Sequence, residues 1–233
     1  MKIQYCSDLH LEFPENKNYL LQNPIKPGAD ILILAGDIVP FAIMDEHQDF
    51  FDYISEHFKT TFWIPGNHEY YYYNITEKSG VLEEQIRGNI FLVNNCVKEI
   101  SGVNLIFSTL WSNISPSRQW LIQESLSDFK VIKYKDRLFN PYDYNMLHQE
   151  SLAFIKKAKQ ETANEKTIVV THHAPTFINY PEKYADSKIN EAFASNLDFI
   201  IENNTIDYWI YGHHHCNVGD FEIKNTKLLT NQL

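Results

Sequence analysis

Short apolar runs bounded by turn residues dominate the pattern of hydrophobic and polar positions along this chain. Such runs are typical of strands that are buried on both faces of a sheet. Five runs are each followed by a polar motif, and they lie at residues 3–6, 31–34, 61–64, 167–170 and 208–211. The same pattern predicts further strands at 90–93, 97–100 and 103–107 and a hairpin over 218–230.

Apolar residues at helical spacing separate several of these runs. They predict four helices, at about residues 45–58, 77–87, 145–160 and 191–202. Alternating strands and helices favour a layered α/β fold with its sheets inside. We expect one domain over residues 1–233, because polar motifs spread from residue 8 to residue 215 must converge to act together. In such folds ligands gather beyond the carboxyl ends of strands, and all five motifs lie there.

The segment 108–141 is less regular than the rest of the chain and carries large aromatic residues, among them Trp111, Trp120, Phe129 and Tyr134. A long irregular segment of this kind is often a lid or another functional loop. Two interpretations stay open: an insertion that forms a lid over the site rim, or a surface helix with packed aromatic side chains.

The composition is that of a globular protein, with 44% hydrophobic and 14% aromatic residues. The chain begins directly on a predicted strand, so we expect no signal peptide, and no apolar run approaches the roughly 20 residues of a membrane span. Three cysteines in no disulfide pattern indicate a cytoplasmic protein. The net charge of −10 and the lack of a basic run argue against nucleic acid as a partner.

The first two motifs carry carboxylates. In Asp8-Leu9-His10, two side chains would point the same way from an extended segment and could grip one ion. Taken alone, this motif also fits a surface loop. In Gly36-Asp37, an acid follows a buried strand, where it is costly unless it is paired or binds a metal. The alternative for Asp37 is a cap on the next helix.

The remaining motifs are rich in histidine. In Gly66-Asn67-His68-Glu69, the amide oxygen can bind a metal, His68 is free to donate a proton, and Glu69 is expected to orient His68 or a nearby group.

In Gly212-His213-His214-His215, the first and third histidines would face one way and the middle one another. His172 offers a further ligand, and His173 is read as packing beside the ligands. Cys216 is expected to point away from the site.

Together the five motifs resemble the signature of the calcineurin-like metallophosphoesterase superfamily, D-x-H, G-D, G-N-H-[ED], H and G-H-x-H. The match runs in order over about residues 3–216, nearly the whole chain. The surrounding residues, such as Ser7–Phe13 and Pro65–Tyr71, look like those of the small, mostly uncharacterised bacterial members. The resemblance implies a β-sandwich flanked by helices (α/β/β/α) and an enzyme that hydrolyses phosphoesters with metal ions.

The resemblance also implies how the ligands divide between two divalent ions. Both ions share one carboxylate, so that one is held by Asp8, His10, Asp37 and His215 and the other by Asp37, Asn67, His172 and His213. His68 would be the general acid or a stabiliser of the transferring phosphoryl group. The residues by themselves indicate the same ligand set but do not divide it.

Two ions about 3.5–4 Å apart can share a water and lower its pKa from near 15.7 toward 7. We expect the resulting hydroxide to attack phosphorus while His68 assists the leaving oxygen. Nitrogen and oxygen ligands without thiolate favour Mn, Fe, Zn or Ni over Ca. Two such ions would reverse the local field of an acidic protein, which suits a small phosphorylated substrate, nucleotides included.

One departure from the superfamily narrows the expected substrate. The serine/threonine protein phosphatases continue the second motif as G-D-x-x-D-R-G, whereas this chain reads Gly36-Asp37-Ile38-Val39-Pro40. A dedicated protein phosphatase is therefore not expected. Two alternatives stay open: a nuclease of the same superfamily, and a catalytically silent metal-binding scaffold. The net negative charge argues against a nuclease. The complete ligand set with His68 argues against a silent scaffold.

Overall fold

The computed structural model describes residues 2–162 and 165–233, which form thirteen strands and six α-helices. The strands are β1 (Ile3–Cys6), β2 (Ile31–Ala35), β3 (Thr60–Ile64), β4 (Leu82–Arg87), β5 (Ile90–Asn94), β6 (Cys96–Ile100), β7 (Val103–Ser108), β8 (Lys133–Tyr134), β9 (Arg137–Leu138), β10 (Lys166–Thr171), β11 (Tyr208–Ile210), β12 (Phe221–Ile223) and β13 (Thr226–Leu229). The helices are α1 (Pro14–Gln22), α2 (Gln48–His57), α3 (Gln119–Ser125), α4 (Asp128–Val131), α5 (Pro141–Glu161) and α6 (Asp198–Glu202).

Two mixed sheets lie at the centre of the fold. The first has the strand order β1-β2-β3-β5-β4, in which only the β4–β5 pair is antiparallel. The second has the order β12-β13-β11-β10-β7-β6, with parallel pairing from β13 through β7. The strands that precede the five polar motifs are all parallel to a neighbour, so their carboxyl ends meet at one edge of each sheet.

The two sheets pack face to face through a shared apolar core. Ile33 and Phe62 from the first sheet contact the layer formed by Phe107, Val170 and Ile210 from the second. Side chains of a strand alternate between its two faces, and β2 is buried along its whole length. Its alternate residues must therefore be covered from the other side as well.

Helices cover the outer face of each sheet. On the first sheet, Leu34 lies in one apolar cluster with Phe51 of α2. On the second, Val169 lies in another cluster with Ile155 of α5 and Ile201 of α6. The order of layers is therefore helix, sheet, sheet, helix, and the predicted α/β sandwich flanked by helices is confirmed.

The sequence pattern located the strands more accurately than the helices. All the predicted strands form, and the hairpin over 218–230 appears as β12 and β13. The helix predicted at 77–87 was wrong, because residues 82–87 form strand β4. Leu82 and Ile86 pack against the core, and a spacing of four residues fits a strand as well as a helix. The predicted helix at 191–202 is also shorter, since only 198–202 is α-helical and a 3₁₀ turn covers 190–192.

The segment 108–141 is built into the fold. It contains α3, α4 and the small β8–β9 hairpin, and its side chains Trp111, Phe129 and Phe139 are at most 4% exposed. Trp120 is the exception, with 76% of its surface exposed. The interpretation of this segment as packed aromatics holds for these core side chains, and its role as a lid stays a prediction.

None of the helices in the described residues is both long enough and apolar enough to cross a membrane.

Candidate metal centre

The predicted site residues follow strands whose carboxyl ends face each other across the two sheets. Asp8 follows β1, Asp37 follows β2 and Asn67 follows β3 in the first sheet. His172 follows β10 and His213 follows β11 in the second sheet. The parallel arrangement therefore carries residues that are 205 positions apart, such as Asp8 and His213, into hydrogen-bond contact.

The backbone at these motifs is unusual. Asp8, His10, Asp37, His213 and His215 all have positive φ angles, between 46° and 78°. Non-glycine residues rarely adopt this left-handed region, and such residues cluster at functional sites. The expected strand-like alternation of residues 8 and 10, and of 213 and 215, was therefore wrong. Tight turns bring these side chains together.

Six of the seven predicted ligands fall into two groups that share Asp37. Within each group the possible ligand atoms lie within 4.8 Å of one another. One group contains Asp8, His10, Asp37 and His215, and the other contains Asp37, His172 and His213.

The residues on either side of the seventh predicted ligand, Asn67, lie against the shared carboxylate of Asp37. The following residue, His68, donates its backbone N–H to Asp37 Oδ1 at 2.9 Å. The preceding Gly66 is close enough that a Cβ there would overlap the same oxygen and lie 2.7 Å from His172 Nε2. A side chain at position 66 would thus fill the space between the Asp37 carboxylate and the His172 ring.

The ring nitrogens of the histidines point lone pairs into the site. His172 Nδ1 donates to the carbonyl of Ala35 at 2.9 Å, and His213 Nε2 donates to the carbonyl of Ala192 at 3.3 Å. Because carbonyls only accept, the other nitrogen of each ring carries the lone pair whenever the ring is neutral, as a metal-bound imidazole must be, and these two nitrogens lie 3.0 Å apart. Histidines that bind metals in proteins are usually held in this way.

Asp37 is buried beneath these rings. Its Oδ2 lies 3.2 Å from His172 Nε2 and 3.7 Å from His10 Nε2. Burial acts to raise the pKa of Asp37, but His172 and His68 outweigh it and hold that pKa well below its usual range. Burial lowers the pKa of His172, but Asp37 outweighs burial and raises that pKa to about 9. Asp37 therefore favours the carboxylate form and His172 the protonated form. A metal cation beside Asp37 would supply the same positive charge.

Asp128 is a site residue that the sequence analysis missed. Its Oδ1 accepts from Asn67 Nδ2 at 3.0 Å and from the Tyr71 hydroxyl at 2.8 Å. The amide of Asn67 is thereby oriented, and its Oδ1 is left buried without a hydrogen-bond partner among the described residues. An orphaned buried oxygen is costly, and a metal ion would satisfy it. The segment 108–141, which carries Asp128, thus supports the site.

Glu12 is the second residue that was missed. Its Oε1 accepts from His68 Nδ1 at 2.8 Å and from His10 Nδ1 at 3.1 Å. Tyr71 stacks on the His68 ring with centroids 4.0 Å apart. Burial lowers the pKa of His68, while Asp37 and Glu12 raise it to about 9. His68 is thus held on two sides. The sequence signal was a glutamate two residues after His10.

Glu69 holds groups around the site and not His68, which is the second of its two expected roles. Its carboxylate is fully buried and accepts from four N–H donors, none of which belongs to His68. Oε2 accepts from the backbone of Asp37 at 2.9 Å and of Gly66 at 2.6 Å, and Oε1 accepts from the backbone of Ile38 at 2.7 Å and from Trp63 Nε1 at 3.1 Å. Glu69 therefore ties the second motif to the third.

We expect Glu69→Gln to destabilise the protein. Each carboxylate oxygen accepts two N–H groups, so either orientation of the amide leaves two buried donors unpaired. At about 1–3 kcal/mol for each, the free energy of unfolding should fall by about 2–6 kcal/mol. Urea denaturation measures this. The control is Glu99→Gln on exposed β6, which should change it by less than about 0.5 kcal/mol. Equal stability of the two variants would contradict the role of Glu69.

The other histidines and the nearby cysteine lie around the centre. His173 is fully buried, its ring is 4.2 Å from that of His213, and Nδ1 lies 3.3 Å from the Thr109 carbonyl. This agrees with the expected packing. Cys216 belongs to neither group of possible ligands. His214 is buried.

These observations show that the residues suit a pair of metal ions. Inward lone pairs, a shared carboxylate and a buried amide oxygen without a partner all converge at one place. The donors are nitrogen and oxygen atoms, as in many sites for transition metals.

Sequence comparisons identify the family of this chain. The family model described as calcineurin-like phosphoesterase matches residues 1–217. An uncharacterized protein of Acanthamoeba polyphaga mimivirus is 35% identical over 257 residues, which cover 99% of this chain and 90% of the relative.

A solved structure shares the fold. A phosphopantetheinyl hydrolase from Mycobacterium tuberculosis is 16% identical, with a TM-score of 0.68 over 99% of this chain and 88% of that one. A dimetal phosphatase from Danio rerio is 11% identical over 98% and 86% of the two chains, and its TM-score of 0.46 is too low to support an argument. By the family match and the mimivirus relative, this chain belongs to the calcineurin-like phosphoesterase family and is a metal-dependent phosphoesterase.

Proposed function

We propose that this protein hydrolyses a phosphoester of a small molecule, nucleotides included, at a centre of two divalent metal ions. The observation that carries the proposal is the sharing of Asp37 by two groups of inward-facing ligands. In this proposal Asp8, His10 and His215 hold one ion with Asp37. Asn67, His172 and His213 hold the other, and residues 1–233 act as one domain.

When bound, the two ions would supply Lewis acidity that activates water and neutralises phosphate charge. The donor set suits Mn, Fe, Zn or Ni. Around the ions, the protein would orient its ligands through hydrogen bonds. Asp128 holds the amide of Asn67, and the Ala35 carbonyl holds the ring of His172. Such outer contacts typically change metal affinity or activity by about 10–100-fold.

His68 is the proposed general acid. With Nδ1–H engaged by Glu12, the second ring nitrogen is the one that can donate to the leaving oxygen. The hydrogen bond to Glu12, one of the groups that raise the pKa of His68, favours the protonated ring that an acid requires. Glu12 is a positioning residue in this scheme, because it would act through His68 and His10 and not on the substrate.

A screen for hydrolysis tests the proposed function. The metal-depleted protein, given Mn²⁺, Fe²⁺, Zn²⁺ or Ni²⁺ in turn, would be offered aryl phosphomonoesters and bis-aryl phosphodiesters. A phosphopantetheine ester belongs in the panel, since the fold neighbour from Mycobacterium tuberculosis is a phosphopantetheinyl hydrolase. We expect turnover of at least one small ester that depends on added metal.

Two outcomes of the same screen would contradict the proposal. Binding of two metal ions without turnover of any ester would favour a silent scaffold. Faster cleavage of single- or double-stranded DNA than of every small ester would favour a nuclease. The Asp136→Asn variant, altered in an exposed turn far along the chain from the motifs, serves as a matched control for metal content.

A further inference from the structure

A small cavity lies beside the candidate metal centre and has no role in the proposed chemistry. Its volume is about 170 Å³. Aromatic rings form much of its wall, contributed by Tyr180, Tyr184 and Phe193. The lining includes no lysine, arginine, aspartate or glutamate. A neutral, compact group would therefore fit here better than a phosphate.

His214 is the unusual member of this wall. The side chain is buried, at 4% exposure, and neither ring nitrogen has a hydrogen-bond partner among residues 2–162 and 165–233. The rings of Tyr180 and Tyr211 lie nearly perpendicular to the His214 ring, at centroid distances of 4.8 and 5.5 Å. Buried polar groups in proteins are normally paired. The two nitrogens of His214 are thus uncommitted, and the residue lines the cavity.

Asn190 and Ser187, two further polar residues of the cavity, already have partners. The Asn190 amide accepts from the Tyr180 hydroxyl at 3.4 Å and donates to the Tyr184 carbonyl at 2.6 Å. Ser187 Oγ accepts from the Ile189 N–H at 3.5 Å. A mostly apolar cavity with one uncommitted polar group is the usual design of a site for a small organic ligand.

The cavity adjoins the proposed ligands directly, because His213 and His215 also line it. One belongs to each of the two groups that share Asp37. A phosphoryl group held at the centre would therefore have its organic substituent next to the cavity. The volume is below the roughly 300–1,000 Å³ of sites for drug-sized ligands, so it suits a single ring.

We propose that this cavity, which we call the His214 cavity, binds the organic group of the phosphoester substrate, and that this group is a planar heteroaromatic ring that hydrogen-bonds to His214. The proposal rests on the proposed function, since it assumes that the phosphoryl group binds at the metal centre. The aromatic walls would stack on the ring, and His214 would select for a heteroatom on its edge.

Binding of phosphonates tests the His214 cavity, because a phosphoesterase does not break a C–P bond. Methylphosphonate, benzylphosphonate and (pyridin-3-yl)methylphosphonate would be titrated by calorimetry into the protein loaded with Mn²⁺. We expect benzylphosphonate to bind about 10-fold more tightly than methylphosphonate, from burial of the ring. The pyridyl compound should bind about 3–10-fold more tightly still, from one hydrogen bond.

Two variants separate the ring from the hydrogen bond. His214→Phe keeps an aromatic ring but removes both nitrogens, so the ratio of pyridyl to benzyl affinity should fall to about 1. Ser187→Trp, at the partly exposed rim, should fill the cavity and abolish the preference of both rings over methyl. Lys188→Trp is the matched control, because this exposed neighbour does not line the cavity and should keep both preferences.

The outcomes distinguish this proposal from the proposed function. If methylphosphonate binds in a metal-dependent way but no ring preference exists, the His214 cavity is excluded and the metal centre is upheld. If the pyridyl preference persists in both His214→Phe and Ser187→Trp, the ring binds elsewhere. If no phosphonate binds to the metal-loaded protein, both the proposed function and the cavity fail together.

Discussion

Replacing Asp37 by asparagine should remove metal and activity together. The carboxylate is shared by both ligand groups, and its Oδ2 lies within 3.2 Å of His172 and 3.7 Å of His10. An amide is neutral and only its oxygen can bind a metal, so asparagine would hold two cations more weakly than the carboxylate. Since a metal pair lowers the pKa of water from about 15.7 toward 7, its loss should reduce turnover by at least about 10³-fold.

Metal analysis by mass spectrometry after gel filtration checks this expectation, together with steady-state hydrolysis of the best ester from the screen. We expect clearly fewer than two ions per chain in Asp37→Asn and two in the Asp136→Asn control. A complete pair of ions in Asp37→Asn would show that Asp37 does not bridge them. Circular dichroism must show that the variant is folded, because Asp37 also accepts the His68 N–H.

Replacing His68 by alanine should retain the metal ions and lose most of the turnover. His68 belongs to neither of the two ligand groups that share Asp37. Its ring is held by Glu12 and stacked on Tyr71, which fits an acid that must be positioned. General acid catalysis is typically worth about 10²–10⁴-fold, and we expect a loss of kcat in that range.

The leaving group provides the decisive measurement. An ester whose leaving oxygen is a strong base needs a proton in the transition state, while a dinitrophenolate leaves without one. The loss in His68→Ala should therefore be large for a phenyl or alkyl ester and small for a dinitrophenyl ester. A uniform loss across this series would argue that His68 binds the phosphoryl group instead. His57→Ala, at an exposed position on α2, is the control.

Much of the fold was predictable because the strands are short, apolar and flanked by turns. The run 31–34 and the run 167–170 indicate buried strands by local pattern alone, and both form. Helices were less predictable where one pattern fits two structures. Leu82 and Ile86 satisfy either period, and pairing with β5, a tertiary interaction, decides in favour of β4.

The candidate site was predictable in its ligand types but not in its supports. The role of Asp128 depends on contact with Asn67, 61 residues away, and that of Glu12 on contact with His68, 56 residues away. Asp128 lies at no spacing that local chemistry would single out, whereas Glu12 stands two residues after His10. Glu69 was visible in its motif, but its four donors come from the folded backbone and from Trp63.

The sequence by itself determined which side chains can ligate metal, and that they follow strands of a layered α/β fold. Strand order, left-handed turns at Asp8, Asp37 and His213, and the orientation of the ligand rings were decided only by the tertiary structure. The physical reason is the distance along the chain over which each interaction acts. Apolar periodicity and residue chemistry act over a few positions, whereas convergence of lone pairs depends on parallel pairing between strands far apart in the chain.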